Sequence, residues 1–265
     1  RLFMDRTPHV CMQQLAILGS TGSIGVSTLD VVRRRRDEFA VFSLAAGTNS
    51  ARLVEQIVEF TPAFVSVAGE DVRQDVLERL SGSGFGRSQW PEVAVGSSAI
   101  VAAATAPDVD FVMSAIVGVT GLEATYQAVR LGKRIGLANK EVLVASGDLV
   151  MRATREHGTE LIPVDSEHNG AHQCLRGGLR SEVTRLLLTA SGGPFRKTPV
   201  EHLNGVTPDQ ALAHPTWKMG PRITIDSATM MNKGFEVIEA AWLFDFSPHE
   251  IDVVIHPQSK VHAMV

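Results

Sequence analysis

A short apolar run, Leu15-Ala-Ile-Leu18, passes directly into Gly19-Ser-Thr-Gly-Ser-Ile-Gly25. No other feature constrains the fold as tightly. A strand that enters a glycine turn and leaves as a helix can bring several backbone N–H groups close to an anion at the helix start. The spacing is G-x-x-G-x-x-G rather than the commoner G-x-G-x-x-G. The anion that suits this geometry is a dinucleotide pyrophosphate, and the competing reading is a plain strand-to-helix turn.

The rest of the first half repeats the same alternation. Strands are expected at residues 39–46, 63–68, 93–95, 111–114 and 134–137, and helices at 24–34, 51–60, 71–80, 99–103 and 121–131. Leu53, Val54, Ile57 and Val58 recur at helical spacing, as a helix packed on a sheet requires. Strands alternating with helices predict a doubly wound, Rossmann-like parallel sheet. Past residue 150 the rhythm changes to strands at 160–163, 185–189, 251–255 and 261–265, separated by polar loops. This predicts an α/β chain with a dinucleotide-binding domain over residues 14–150 and a second, α+β catalytic domain over 151–265, joined by a long helix at 141–157. Residues 261–265 read as part of a strand, so a further C-terminal portion is expected.

Composition narrows the function. Hydrophobic residues make up 44% and charged residues 20%, which suits a folded globular chain. The net charge of −4 gives no basic footprint for nucleic acid, and no apolar run reaches the roughly 18 residues that cross a bilayer. Arg33-Arg-Arg-Arg36 falls where the first helix ends, and cations complement the helix dipole there. Two cysteines, Cys11 and Cys174, are too few for a disulfide framework, and residues 1–13 lack the apolar core of a signal peptide. A bacterial cytoplasm is the expected compartment, with a plastid as the alternative.

The chemistry concentrates later in the chain. Pro163-Val-Asp-Ser-Glu-His-Asn-Gly170 puts Asp165 and Glu167 two residues apart behind the apolar pair Leu161-Ile162. On a strand both would leave the same face, with Cα atoms about 6.6 Å apart. Two carboxylates at about 5 Å repel by roughly 3 kcal/mol at an effective dielectric of 20, a cost that a divalent cation between them removes. Asp226-Ser-Ala-Thr-Met-Met-Asn-Lys-Gly-Phe-Glu236 offers a third carboxylate, Glu236, one helical turn after Asn232. All-oxygen ligation favours Mg²⁺ or Mn²⁺. Ser227, Asn232 and Lys233 supply donors for a phosphate, and Ser191-Gly-Gly-Pro-Phe195 adds a hydroxyl and a glycine loop. His214-Pro-Thr-Trp-Lys-Met-Gly-Pro221 has the make-up of a lid that excludes water. Lys140, in Leu137-Ala-Asn-Lys-Glu-Val142, sits at a strand end, where ligands gather in open α/β sheets.

The second strand ends in Ala45-Ala-Gly-Thr-Asn-Ser50, with no Asp or Glu for a ribose 2′-hydroxyl, which favours NADP over NAD. Thr48, Asn49 and Ser50 offer hydrogen bonds to a 2′-phosphate, but this segment holds no Arg or Lys to neutralise it.

The segments GSTGSIG, LANKE, PVDSEHN, SGGPF, HPTWKMG, DSATMMNKG and IHPQS, in this order, resemble the 1-deoxy-D-xylulose 5-phosphate reductoisomerase family from about residue 14 to 265. The resemblance implies NADPH- and Mg²⁺- or Mn²⁺-dependent rearrangement and reduction of 1-deoxy-D-xylulose 5-phosphate to 2-C-methyl-D-erythritol 4-phosphate, in non-mevalonate isoprenoid synthesis, by a homodimer. It implies metal ligation by Asp165, Glu167 and Glu236. Substrate would be held by Ser166, Ser191, His214, Ser227, Asn232 and Lys233, with Lys140 beside its reacting end. NADPH would be lined by Thr21, Gly22, Ser23, Ile24, Gly47, Thr48, Asn49, Asn139, Glu141 and Gly220. Relatives often carry a basic residue at the Thr48 position. The family also continues into a helical C-terminal domain beyond the segment present here. A different class, a semialdehyde dehydrogenase, would need Cys11 or Cys174 as a nucleophile in the site.

Overall fold

The computed structural model describes residues 12–216 and 220–265. Cys11 and Trp217, the latter at the centre of the expected lid, lie outside the described residues. The chain forms two compact units, Arg1–Ile135 and Gly136–Val265.

In the first unit, β1 (Gln13–Leu18) turns through the glycines into α1 (Ser23–Arg34), and the alternation continues with β2 (Phe39–Ala45) and α2 (Ser50–Phe60). β3 (Phe64–Val67), α3 (Glu70–Gly82), β4 (Glu92–Val95), α4 (Ser97–Thr105), β5 (Phe111–Ser114) and α5 (Leu122–Arg130) complete it, and β6 (Arg134–Leu137) runs across the division. β1 pairs in parallel with β2 on one side and β5 on the other, and β3 and β4 extend the β2 side. Chain order therefore reverses at β1, the switch point at which doubly wound sheets open a crevice beyond their carboxyl ends. The sheet is covered by the apolar face of α2, with Leu53 and Ile57 fully buried beside Ile17 and Leu44. Burial of each such side chain stabilises by roughly 1.5–3 kcal/mol.

The glycine turn is held by close backbone approach. Gly19 has φ +90°, and a Cβ there would lie 2.6 Å from the Ala115 carbonyl oxygen. A Cβ on Gly25 would lie 2.4 Å from the Gly19 carbonyl oxygen. α2 ties down the other side of the turn: Gln56 Nε2 donates to the Ser20 carbonyl at 2.9 Å.

The second unit holds α6 (Glu141–His157), β7 (Leu161–Pro163), α7 (Ser166–Leu175), β8 (Leu186–Ala190), α8 (Pro208–Leu212), α9 (Pro221–Ala228), α10 (Met231–Phe244), β9 (Ile251–Ile255) and β10 (Ala263–Met264). β8 is central in a three-stranded sheet, parallel to β9 and antiparallel to β10. Leu186, Leu188, Ala171, Ala240 and Phe246 form its core, so α7 and α10 pack on the sheet. α6 is broken at Ser146, and the indole of Trp242 on α10 lies against Gly147, 2.3 Å from where a Cβ would stand. That packing places α6 inside the second unit. The compact units divide at Ile135, within β6, so α6, expected as the link between domains, belongs to the second of them. The strand expected over 261–265 shortens to Ala263–Met264, and the region is richer in helices than its polar loops suggested.

Candidate metal and phosphate site

The two carboxylates of PVDSEHN do not leave one strand face. β7 ends at Pro163, and Asp165 is the N-cap of α7, its Oδ1 accepting from the Glu167 N–H at 3.3 Å. The strand is too short to carry the motif, and an Asp before a helix lowers its energy by satisfying an open N–H. Asp165 and Glu167 thus converge through a helix start, with Ser166 Oγ donating to Glu167 Oε2 at 2.7 Å. Glu236 meets them from the second turn of α10: one oxygen from each of the three lies within 4.8 Å of the other two.

Buried cations face these acids. Lys140, 7% exposed at the start of α6, donates from Nζ to Asp165 Oδ2 at 2.7 Å and to Glu236 Oε1 and Asn232 Oδ1 at 3.0 Å each. Lys233 donates to Glu236 Oε2 and lies 3.8 Å from Glu167 Oε1. Burial alone would push the Lys140 ammonium down, but the charges of Asp165 and Glu236 outweigh it and raise its pKa above the ordinary value. Burial likewise opposes the Asp165 carboxylate, yet His168 and Lys140 hold it well below the usual range. Glu167 is pushed up by burial and by its acidic neighbours Glu236 and Asp165, against the pull of Lys233. A carboxylate raised by like charges is a place where added positive charge is favoured. Buried, oxygen-only donors of this kind fit a hard divalent cation.

Behind the carboxylates lies a buried pair outside the predicted set. His168 is fully buried; its Nε2 meets the Glu236 carbonyl oxygen at 2.8 Å, and its Nδ1 lies 3.3 Å from Glu239 Oε2 and 3.6 Å from Asp165 Oδ1. Acceptors at both ring nitrogens call for an imidazolium. Burial pulls its pKa down, but Glu239 and Asp165 raise it to about 9. Burial raises Glu239 to about 7, with His168 pulling against it. Both groups bind protons more tightly folded than unfolded. Their stabilisation is complete below the unfolded values and is lost as pH rises through about 7 for Glu239 and about 9 for His168. With a chelator present, the melting temperature is expected to fall between about pH 6.5 and pH 9, and to fall less in His168→Asn. Equal slopes for the two proteins would remove His168 from this role.

The acids line a cavity of about 400 Å³ together with Ser191, His214, Ser227, Asn232 and Lys233. His214 Nδ1 accepts from the Thr216 N–H at 3.2 Å, and burial keeps the ring's pKa low. Its Nε2 therefore carries the proton and donates to Ser191 Oγ at 3.0 Å, so the Ser191 hydroxyl keeps its own proton to donate. Ser227 Oγ donates to the Ile223 carbonyl at 2.7 Å. His262 also lines the cavity, with Nδ1 3.6 Å from Glu167 Oε1. The sequence signalled no role for it, because it reaches the site only through the pairing of β10 with β8.

The predicted nucleotide residues divide between the units. In the first, Gly22 is the N-cap of α1, Ser23 and Ile24 form the first exposed turn, and Thr21 precedes them. Gly19, Gly22, Ala45, Ala46, Gly47 and Ala115 line an apolar slot of about 350 Å³ beyond the strand ends. Asn49 caps α2, accepting from the Arg52 N–H at 3.2 Å, and Thr48 is exposed. Ser50 is buried and its hydroxyl donates to Asp75. In the second unit, Asn139 Oδ1 accepts from the Glu141 N–H at 3.1 Å, Glu141 pairs with Arg222 at 3.2 Å, and Gly220 is the N-cap of α9. Cys174 is exposed near the far end of α7, outside the cavity lining. That position does not suit a thiol nucleophile.

An α/β unit with a glycine turn at its switch point, followed by a unit in which three carboxylates converge on a cavity of about 400 Å³, defines a two-part class whose first unit is Rossmann-like. Family comparisons agree. Residues 15–147 match the 1-deoxy-D-xylulose 5-phosphate reductoisomerase model, and 161–244 match that of its C-terminal domain. A Solibacter usitatus protein named 1-deoxy-D-xylulose 5-phosphate reductoisomerase is 64% identical over 254 residues, which cover 96% of this chain and 64% of that protein. One from Prosthecochloris aestuarii is 52% identical, with 96% and 65% covered. Among solved structures, DOX-P reductoisomerase in complex with NADPH, fosmidomycin and magnesium superposes with a TM-score of 0.87 at 39% identity, covering 95% of this chain and 63% of that one. The Zymomonas mobilis enzyme in complex with NADPH gives 0.86 at 43% identity, covering 96% and 64%. The chain belongs to the 1-deoxy-D-xylulose 5-phosphate reductoisomerase family, and it spans about 64% of the length of the first relative.

Proposed function

We propose that this chain carries the NADPH- and metal-dependent chemistry that converts 1-deoxy-D-xylulose 5-phosphate to 2-C-methyl-D-erythritol 4-phosphate. The observation that carries the proposal is the cavity in which Asp165, Glu167 and Glu236 face Ser191, Ser227, Asn232 and Lys233. The carboxylates suit a cation, and the hydroxyl, amide and ammonium donors beside them suit a phosphate, as a sugar phosphate chelated by its oxygens requires.

Asp165, Glu167 and Glu236 would hold Mg²⁺ or Mn²⁺, which supplies Lewis-acid polarisation of substrate oxygens. In the first unit the glycine turn, with Thr21, Gly22, Ser23 and Ile24, would hold NADPH, which would supply a hydride when bound; in the second unit Asn139, Glu141 and Gly220 are further candidates for contact with the cofactor. Ser191, whose hydroxyl keeps its own proton to donate, joins Ser227, Asn232 and Lys233 on the phosphate, and Ser166 on the substrate hydroxyls. Lys140 has its ammonium raised by the neighbouring acids. It therefore works as a fixed positive charge beside the reacting end rather than as a proton acceptor. The reading includes a homodimer in a bacterial cytoplasm, in line with the bacterial relatives. No helix among the described residues is long and apolar enough to cross a membrane.

The test is NADPH consumption on adding 1-deoxy-D-xylulose 5-phosphate, with and without Mn²⁺. It should be run on this chain and on a form extended to the relatives' length. Activity that needs both additions is expected. Metal-independent consumption, or none in either form, would refute the reading.

A further inference from the structure

We infer that Arg52 is the cation that recognises the 2′-phosphate of NADPH in this chain, a role that rests on the NADPH reading above. The segment after β2 lacks a basic residue, with Thr48 at the position where the resemblance leads one to expect one. Arg52 stands one turn further on, at the start of α2, where the Asn49 cap receives its backbone N–H. Its side chain folds back toward the glycine turn, and Nη1 donates to the Thr21 carbonyl oxygen at 3.2 Å. The guanidinium is thereby held at the glycine turn, while the Arg52 backbone N–H is bonded to Asn49 at the end of the β2 loop; these two segments flank the ribose and pyrophosphate in folds of this kind.

Three further observations suit it to a phosphate. Arg52 is exposed, and none of the described carboxylates forms an ion pair with it. A guanidinium has five N–H donors in a planar fork, and the Thr21 carbonyl engages one nitrogen, leaving donors for the bidentate contact that phosphate oxygens favour. The nearby acid is already neutralised: Asp75 takes the Ser50 hydroxyl and pairs with Arg79 at 2.9 Å. The N-terminus of α2 adds its own attraction for an anion.

A purely structural role for Arg52 is the alternative, since Gln56, one turn on, also bonds a turn carbonyl, that of Ser20 at 2.9 Å. Gln56 is buried and neutral, which shows that tethering the turn needs no charge. The two roles separate by cofactor. Dissociation constants for NADPH, NADH and 2′,5′-ADP would be measured by fluorescence or calorimetry on the wild-type chain and on Arg52→Gln. Loss of the phosphate contact is expected to weaken NADPH and 2′,5′-ADP by roughly tenfold to a hundredfold while NADH changes by less than about twofold. The salt dependence of NADPH binding should also flatten in the variant. Equal weakening of NADPH and NADH would assign Arg52 to the turn alone, and no change in either would remove it from the site; both outcomes overturn the inference. A wild-type chain that does not distinguish NADPH from NADH would remove the cofactor reading itself, and this inference with it.

Discussion

Replacing Glu236 with glutamine is expected to weaken Mn²⁺ binding by at least about a hundredfold and to lower metal-dependent turnover about a thousandfold. The side chain is 2% exposed, and both its oxygens already accept from cations, Oε1 from Lys140 at 3.0 Å and Oε2 from Lys233. Glutamine keeps the volume but turns an amide N–H₂ toward one of those ammonium groups and removes one of three negative charges. Loss of groups that only support metal ligands costs 10- to 100-fold in affinity, so loss of a ligand belongs at or beyond the upper end. Lewis-acid stabilisation is worth several kcal/mol, and about 4 kcal/mol corresponds to a thousandfold in rate. NADPH affinity should change little, because Glu236 is not among the residues proposed to hold the cofactor and bonds to none of their side chains. Titration of Mn²⁺ by electron paramagnetic resonance reads the first effect directly. Near-normal Mn²⁺ affinity in the variant would take Glu236 out of the ligand set.

The pattern of what the sequence disclosed has a physical logic. Period and punctuation carried the first unit: the alternation placed every strand from β1 to β6, and the helix expected over 141–157 is α6. These features depend on local spacing, which a single sequence contains. Residue types also brought Asp165, Glu167 and Glu236 together before any coordinates did, because buried like charges need a common counterion. The route was different, however. Strand alternation was invoked where an N-cap does the work, since a strand as short as β7 cannot be told from the turn that follows it. His168, Glu239, His262 and Arg52 stayed silent for another reason. Each draws its role from a partner far along the chain, Glu236 for His168 and Thr21 for Arg52. A lone exposed arginine in a helix reads as solvated until the fold shows what it bends toward.

Gly25→Ala should destabilise the first unit by about 2 kcal/mol, although alanine is the better helix former. Gly25 lies inside α1 and has no positive φ, so backbone conformation is not what demands glycine there. Its constraint is distance. A Cβ would stand 2.4 Å from the Gly19 carbonyl oxygen and 2.5 Å from both Cα and carbonyl oxygen of Ser20, all backbone atoms that cannot rotate away. Overpacking of this kind costs about 3 kcal/mol at the upper end of its usual range, and the helix-propensity gain of about 1 kcal/mol offsets only part of it. Gly234 in α10 supplies the opposite case, since a Cβ there meets nothing within 4 Å. Gly234→Ala should therefore stabilise by up to about 1 kcal/mol. Urea midpoints for the two variants, compared with wild type, should move in opposite directions. Because the displaced atoms belong to the turn itself, Gly25→Ala should also weaken NADPH and NADH alike, unlike Arg52→Gln, which acts on the phosphate-bearing cofactor alone. A Gly25→Ala protein as stable as wild type would mean that the turn yields without cost. The close approach of α1 to the end of β1 would then not be what shapes the anion site.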